Sequence, residues 1–531
     1  MNQRVQNNSD IRLIIAGPGG GKTHNMVREI LNSIETLSPT RHCAVITYTN
    51  AATENIKAKI ENKISIPQNI FIGTTHSFLI KFIFEPFSHL FGITSIEKHY
   101  IESSKRLDTI KNQFARKATE AKNADALCSN GIITYDKILE QSFELLKNET
   151  VLKAVSNRLQ YVFIDEYQDS RVYQHKIIQK IVEQGRTKLY CIGDPLQSIF
   201  RFTYTQSQLK NEPKPKSFQE TPLLELYKEK KNETVFINEN YRSSTPIVSL
   251  INKFIVKFDS LFQQEAKGIN SEIDYPIVFL KENEIKKIIE EYNICKQNFG
   301  IADEDERIAK NLFLSDKWRL FESVASDTNL NRLVKDSSKP SSYLKEVMQL
   351  ATVMIGLKKP QIISITSDEL TYRKFCLKVF KTIRQRVFND DVHCENSVRR
   401  MFQDEFKVEL DKKTRGKVHT KRATENIKTI NSNKKTTDFY STIHTAKGLE
   451  ATSVLVCAET QNQLLKWLTV DKIITDDDDF RLGYVAFSRA RKFLAIACLQ
   501  PIDLATINII KSFEIKLSSE INIDTVFSSA T

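Results

Sequence analysis

The chain of 531 residues lacks most signs of a secreted, membrane or metal-stapled protein. Its eight cysteines show no CxxC spacing, which argues against a zinc site and a disulfide framework and suits reduced thiols in the cytoplasm. Two of them, Cys43 and Cys191, stand at the starts of predicted buried strands. The opening MNQRVQNNSD is polar, so no signal peptide is expected, and no apolar run approaches a membrane span. No internal repeat recurs at periods of roughly 20–50 residues, which excludes solenoids and propellers. What is present is ordinary for a globular protein, with 40% hydrophobic and 27% charged residues. The length exceeds what one core usually supports, so two or more domains are expected. A net charge of +12 and a pI near 9.0 favour a polyanionic partner such as nucleic acid.

Short buried strands alternate with helices at the start: RLIIAG, helix 22–36, CAVITYT, helix 51–62, NIFIGT, helix 76–90. That alternation predicts a mostly parallel sheet. From about 92 to 158 the strand signal stops and charged helical periodicity takes over. Sheet character resumes with YVFIDE and KLYCIGD; 247–264 reads as helix and YPIVFL as a strand opening a second α/β unit. Residues 325–437 read as helical and polar, ending in a stretch, 411–437, with nine Lys/Arg against two acidic residues. Such a run is more often a solvated loop than a phosphate contact. FYSTIH, SVLVCAE and KFLAIAC return to the sheet.

Chemistry concentrates at strand ends. IIAGPGGGKTHNMV follows a strand and opens a helix, so Gly17, Gly19 and Gly21 allow a curled backbone whose N–H groups point at phosphates. Ala16 stands where the strict pattern has glycine, and Pro18 removes one backbone donor. Lys22 suits the β/γ-phosphates and Thr23 suits Mg²⁺; the candidate loop runs from Ala16 through Gly20 to His24. In YVFIDEYQDS, carboxylates crowd the end of an apolar strand, where an open α/β sheet keeps its crevice. With a nucleotide on Lys22 and Thr23, Asp165 would bind the Mg²⁺ and Glu166 would activate the attacking water.

AGPGGGKT, TYTNAATENIKAKI, GTTHSF, IDEYQDS, GDPLQSIFRF, NYRSS, IHTAKGLE and RLGYVAFSRA occur in that order. Together they resemble the motif set of the UvrD/Rep/PcrA-like superfamily 1 DNA helicases. The resemblance implies an α/β fold of two RecA-like parallel-sheet domains flanking an ATP cleft, each with a helical insertion. It implies a first domain at 1–91 and 159–240, its insertion at 92–158, a second domain at 241–324 and 438–531, and a reduced insertion at 325–437. Gln197 then matches the γ-phosphate sensor, Arg242 and Arg489 the two arginines that reach across the cleft, Tyr241 the aromatic on the base and Glu450 the ribose contact. Such an arginine is typically worth about 10³–10⁵ in rate.

On the DNA side the resemblance places Tyr48 and Phe202 as stacking aromatics, with His76 and Thr445 lining the same groove and His444 nearby. Stacking of this kind contributes about 1–3 kcal/mol per base without reading sequence. The family's adenine-reading glutamine segment has only 21 residues to fit ahead of Lys22 here, with Gln3 and Gln6 its candidates. Phe202 replaces a more usual tryptophan, and Thr203 stands where arginine is common.

The short start, IDEYQDS and FIGTTHSFLIKFIFEPF look like the GajB-like subunits of Gabija anti-phage systems, which work beside GajA, a nuclease with an ATPase-like and a TOPRIM domain. Two activities are therefore expected: an ATP-dependent motor moving 3′→5′ on single-stranded DNA, or a DNA-stimulated ATPase sensor that activates a nuclease partner, with DNA ends or single strands as stimulus. A stand-alone repair helicase is a further alternative. A phosphate-loop kinase without DNA accounts for GPGGGKT and FIDE but not for NYRSS, HTAKGLE and YVAFSRA.

Overall fold

The computed structural model describes residues 10–91, 135–200, 212–301, 309–321, 323–324, 348, 351–352, 354–357, 359–385, 391–410 and 438–521. Apolar runs too short for helices pair side by side. β1 (Ile11–Ala16), β2 (His42–Thr47), β3 (Ile70–Thr74), β4 (Leu159–Ile164), β5 (Lys188–Gly193) and β6 (Val235–Ile237) form a six-stranded parallel sheet in the order β3-β2-β4-β5-β1-β6. β7 (Glu239–Asn240) and β8 (Glu265–Ala266) make a small parallel pair. β9 (Val278–Phe279), β10 (Ala309–Ser315), β11 (Asp438–Thr442), β12 (Ala451–Ala458), β13 (Ala490–Cys498) and β14 (Lys516–Leu517) form a second six-stranded parallel sheet, ordered β11-β10-β12-β13-β9-β14. Renumbered within each sheet, the two orders are identical. The fold is α/β with two parallel sheets, as a RecA-like pair requires.

Both sheets are covered on both faces, as parallel sheets must be. In β1, Leu13 and Ile15 join a core that also takes Val454 and Val456 of β12, so one continuous apolar cluster ties the two sheets together. Ile14 and Ala16 point the other way, onto Met26, Val27 and Ile30 of α1 (Lys22–Ile34) and Ile56 and Ile60 of α2 (Asn50–Glu61). On the second sheet, Leu455, Cys457 and Ala495 face α4 (Ile285–Asn298) through Ile288 and Tyr292. α3 (Thr245–Ile255) and α5 (Asp479–Phe487) belong to the shared core. The helices Tyr135–Leu145 and Glu149–Arg158 place Ile138, Leu139, Val151 and Val155 in that same core.

Some local readings shift. The helix expected over 76–90 is interrupted by a wider π turn at Ile80–Phe84 and ends in a short 3₁₀ turn at Ser88–Phe91. Pro86 has no N–H to give to the turn before it. The helix expected over 247–264 ends at Ile255, because Asp259 accepts the Leu261 N–H at 2.9 Å and starts a 3₁₀ turn, Ser260–Phe262. Cys191 lies inside β5 rather than at its start; it and Cys43 are buried and free.

A second compact unit spans 328–437. Its described helices, Lys359–Thr366, Glu369–Gln385 and Asp391–Phe406, share a separate core of Met354, Ile362, Tyr372, Phe375, Val379, Val398 and Phe402. The basic stretch 411–437 lies outside the described residues.

Candidate active site

β5 lies between β1 and β4, so the carboxyl ends of three neighbouring strands bring Gly17, Asp165 and Asp194 together. After β1 the chain bends sharply: Gly19 and Gly21 both have φ of 70°, left-handed geometry that only glycine adopts without strain. Gly21 caps α1, whose free N–H groups open onto the loop. Lys22 Nζ folds back and donates to the Ala16 and Gly17 carbonyls, both at 3.3 Å. Thr23 is half-buried beside it and His24 exposed.

After β4, Glu166 has φ of 51°, a left-handed non-glycine residue at the carboxylate pair. Gln168 Nε2 donates to Glu166 Oε2 at 2.6 Å, and Gln168 Oε1 accepts the Asp194 N–H at 3.0 Å. Asp165 accepts the Glu166 N–H at 3.0 Å. Burial, then the charge of Glu166, pushes the Asp165 carboxyl up to about 7, and Lys22 only partly offsets this. Burial also works against ionised Glu166, but Lys22 and Lys447 outweigh it and hold that carboxylate below its usual range. The pair thus keeps one proton near neutrality, a charge deficit that a bound cation would relieve.

The amino end of the second sheet faces this cluster. Arg489, immediately before β13 and 1% exposed, donates to the Val485 carbonyl at 2.9 Å, the Leu449 carbonyl at 3.3 Å and Gln197 Oε1 at 3.3 Å. Burial and the neighbouring Arg242 lower its guanidinium to about 10. Gln197 Nε2 donates to Asp194 Oδ2 at 2.7 Å, and the Tyr484 hydroxyl donates to the same oxygen at 3.0 Å. Arg242 Nε pairs with Glu450 Oε2 at 2.5 Å, and Arg491 reaches the other Glu450 oxygen at 3.3 Å. Burial raises Glu450, yet these arginines bring it below the ordinary carboxylate range. Tyr241 is 50% exposed and donates its N–H to the Gly19 carbonyl at 2.9 Å.

Residues not singled out from sequence complete the cluster. Lys447 Nζ pairs with both Asp169 oxygens at 2.6 and 2.7 Å and donates to the Gln197 carbonyl at 2.7 Å. Arg481, fully buried, donates to the Ser198 carbonyl at 2.8 Å, and its guanidinium lies 4.1 Å from the centre of the Phe218 ring. Gln168, Asp194, Lys447, Arg481 and Tyr484 all lie inside the quoted motifs, so position in a motif was their available signal.

A second group sits beside it. Tyr48, 48% exposed, stacks on Phe200 with centroids 6.1 Å apart and planes 14° from parallel. Phe200 meets His444 at 6.1 Å, and Lys447 Nζ lies 4.7 Å from the Phe200 ring centre. Thr445 is exposed; its N–H donates to Thr442 Oγ1 at 3.3 Å, and the Thr442 hydroxyl donates to Thr445 Oγ1 at 2.9 Å. His76 is half-buried on the helix after β3. Phe202, Thr203, Gln3 and Gln6 lie outside the described residues.

The donor set fits a nucleoside triphosphate with Mg²⁺: a glycine cradle opening onto a helix N-terminus, a lysine, a threonine and a buried carboxylate short of positive charge.

Comparison with known proteins agrees. Residues 1–128 and 98–219 match the UvrD/REP helicase N-terminal domain. Over 94% of its length the chain is 22% identical to the probable DNA helicase II homolog of Mycoplasma genitalium, covering 84% of that protein. It is 22% identical to the Gabija protein GajB of Bacillus cereus over 91% of this chain and 92% of that one. To the ATP-dependent DNA helicase PcrA of Staphylococcus epidermidis it is 24% identical over 52% of this chain and 43% of that one. The family domain over residues 1–219, the paired parallel sheets and the motif-built cleft together support the resemblance to the UvrD/Rep/PcrA-like superfamily 1 helicases.

Proposed function

We propose that this chain is a DNA-dependent ATPase that moves 3′→5′ along single-stranded DNA and serves anti-phage defence beside a nuclease of the GajA type. The observation that carries the motor reading is the contact of Arg489 with Gln197: a buried arginine from the second sheet already touches the turn that follows β5 of the first. Lys22 and the loop from Ala16 to Thr23 bind and orient the phosphates. Mg²⁺ held by Thr23 and Asp165 would supply charge neutralisation on the transferred phosphoryl group. Glu166, oriented by Gln168, accepts a proton from the attacking water. Arg489 and Arg242 change partners, leaving Gln197 and Glu450 for the phosphates, which suits a planar, permanently charged fork. Tyr241 and Glu450 take base and ribose.

Linkage to DNA runs through Lys447, which touches Asp169, the Gln197 carbonyl and the Phe200 ring at once. Bases stacked at Tyr48 and Phe200 thereby sense the cleft. The likeness to GajB over nearly the whole of both chains supports the defence role and a hetero-oligomer with a nuclease. It also supports the second reading, a sensor in which DNA-stimulated hydrolysis licenses a nuclease without processive unwinding.

The test is ATP hydrolysis by the purified chain with and without single-stranded DNA, beside Glu166→Gln. Stimulation that vanishes in the variant supports the motor site. DNA-independent turnover sinks it. Unwinding of a forked duplex by the chain alone separates motor from sensor.

A further inference from the structure

The phosphate loop is shaped from outside by a segment that belongs to no motif. Just before β8, Gln264 is 5% exposed and turns its carboxamide onto the loop. Its backbone is held by one side chain of α3: Asn252 Nδ2 donates to the Gln264 carbonyl at 2.7 Å, and Asn252 Oδ1 accepts its N–H at 2.8 Å. So fixed, Gln264 Oε1 accepts from Asn240 Nδ2 at 3.2 Å, and Gln264 Nε2 donates to the Glu239 carbonyl at 3.4 Å. The same Asn240 amide donates to the Pro18 carbonyl at 2.9 Å, while Asn240 Oδ1 accepts the N–H groups of Arg242 and Ser243 at 2.9 and 3.0 Å. With the Tyr241 N–H on the Gly19 carbonyl, two consecutive loop carbonyls are tied to this brace. Peptide planarity then fixes the directions of the N–H groups on their far sides.

Sterics give a second, independent contact. A Cβ added at Gly17 would meet the Gln264 carboxamide at 2.6–2.8 Å, and one at Gly20 would meet its Nε2 at 3.4 Å. Gly17 is not among the positive-φ glycines, so occupied space and not backbone conformation bars a side chain there. The far end of the brace is anchored on the second sheet, where the Ser243 hydroxyl donates to the Ala490 carbonyl at 2.7 Å and the Ser244 N–H to the Arg491 carbonyl at 2.8 Å.

We infer that Gln264 is a positioning residue for the nucleotide: it seats Asn240 on the phosphate loop and fills the space beside Gly17, so the loop keeps its phosphate-binding shape while the brace is docked. This rests on the reading of the Lys22 loop as the ATP site. Undocking the brace as the second sheet moves away loosens the loop and lowers its hold on nucleotide.

The test is a size swap read by titration with a fluorescent ATP analogue in Mg²⁺, beside steady-state hydrolysis and thermal melts. Gln264→Ala is expected to weaken analogue binding about 3–10-fold, the scale of one lost hydrogen bond, with KM for ATP rising alike and kcat nearly unchanged. Gln264→Met, which keeps the bulk but loses the acceptor, should weaken binding similarly. Gly17→Ala alone should lose about 10-fold or more, and adding Gln264→Ala should restore part of it, because partners in contact are not additive. Strictly additive losses, or a Gln264→Ala chain that melts lower yet binds the analogue as tightly as wild type, would overturn the inference. A wild-type chain that binds no analogue would overturn the ATP-site reading along with it, so the two failures look different.

Discussion

The two sheets share one strand order, yet the loops after corresponding strands do opposite things. After β1 the first sheet has a glycine-rich bend that opens onto the N-terminus of α1. After β9 the second has Lys281 and Glu282, whose N–H groups are already taken by the Glu291 carboxylate at 3.1 and 3.0 Å. The chain supplies its own anion where the first sheet leaves room for one. After β4 stand Asp165, buried, and Glu166, half-buried, with Asp165 pushed up to about 7. After β12 stands Glu459, bonded to Arg319 at 3.0 and 3.1 Å and held below its ordinary range by that partner. The second sheet instead offers its amino edge, with Arg489 before β13 and Glu450 before β12. One topology thus supplies both halves of a site by using opposite edges: a carboxyl edge crowded with carboxylates around one lysine, and an amino edge that brings arginines.

Four experiments sharpen or break that contrast, from the largest expected effect to the smallest. Arg489→Ala should lower DNA-stimulated ATP turnover about 10³–10⁵-fold, the usual worth of a cleft-closing arginine, while Arg319→Ala on the other edge changes it little. A loss below about tenfold would break the assignment of the amino edge. Glu166→Gln should reduce single-turnover hydrolysis about 10²–10⁴-fold, and its counterpart Glu459→Gln should not.

The third comparison concerns pH and stability. Asp165 has a folded-state pKa of about 7, above an unfolded value of about 3.9, so its contribution to stability is fully present below that lower value and is lost as pH rises through 7. Asp165→Asn should therefore melt higher than wild type at pH 8, by a margin that shrinks toward pH 5. Glu459 is shifted the other way, so its stabilisation is present above the unfolded pKa and fades as pH falls; the effect is small because the pair is partly exposed. Equal pH slopes in calorimetry of the two variants would remove the contrast. Last, Glu291→Ala removes the acceptor of two solvent-accessible backbone donors and should cost about 0.5–1.5 kcal/mol in urea unfolding, with ATP turnover unchanged.

Much of the site was legible because it is local. A glycine run between strand and helix, two carboxylates at a strand end and arginines in NYRS and SRA are contiguous signals, and β1 to β5 read correctly from short apolar runs. β10 was not picked out, although KNLFLS pairs on both sides with β11 and β12. YPIVFL gave only Val278–Phe279, since its neighbours fall outside the pairing with β13 and β14. Phe200 and Lys447 were passed over within motifs already quoted. Their importance depends on meeting each other and Tyr48, and side chains far apart in sequence carry no mark of that meeting.

By itself, then, the sequence determined the class of fold, the glycine-rich loop between strand and helix and the carboxylate pair, because each is a short-range consequence of residue type, spacing and backbone freedom. Tertiary structure decided which edge of the second sheet faces the first, that Arg489 touches Gln197, and that Gln264 and Asn240 press on Gly17 and Pro18. Those contacts join residues more than 200 positions apart, and only burial in a shared core brings them within hydrogen-bonding distance.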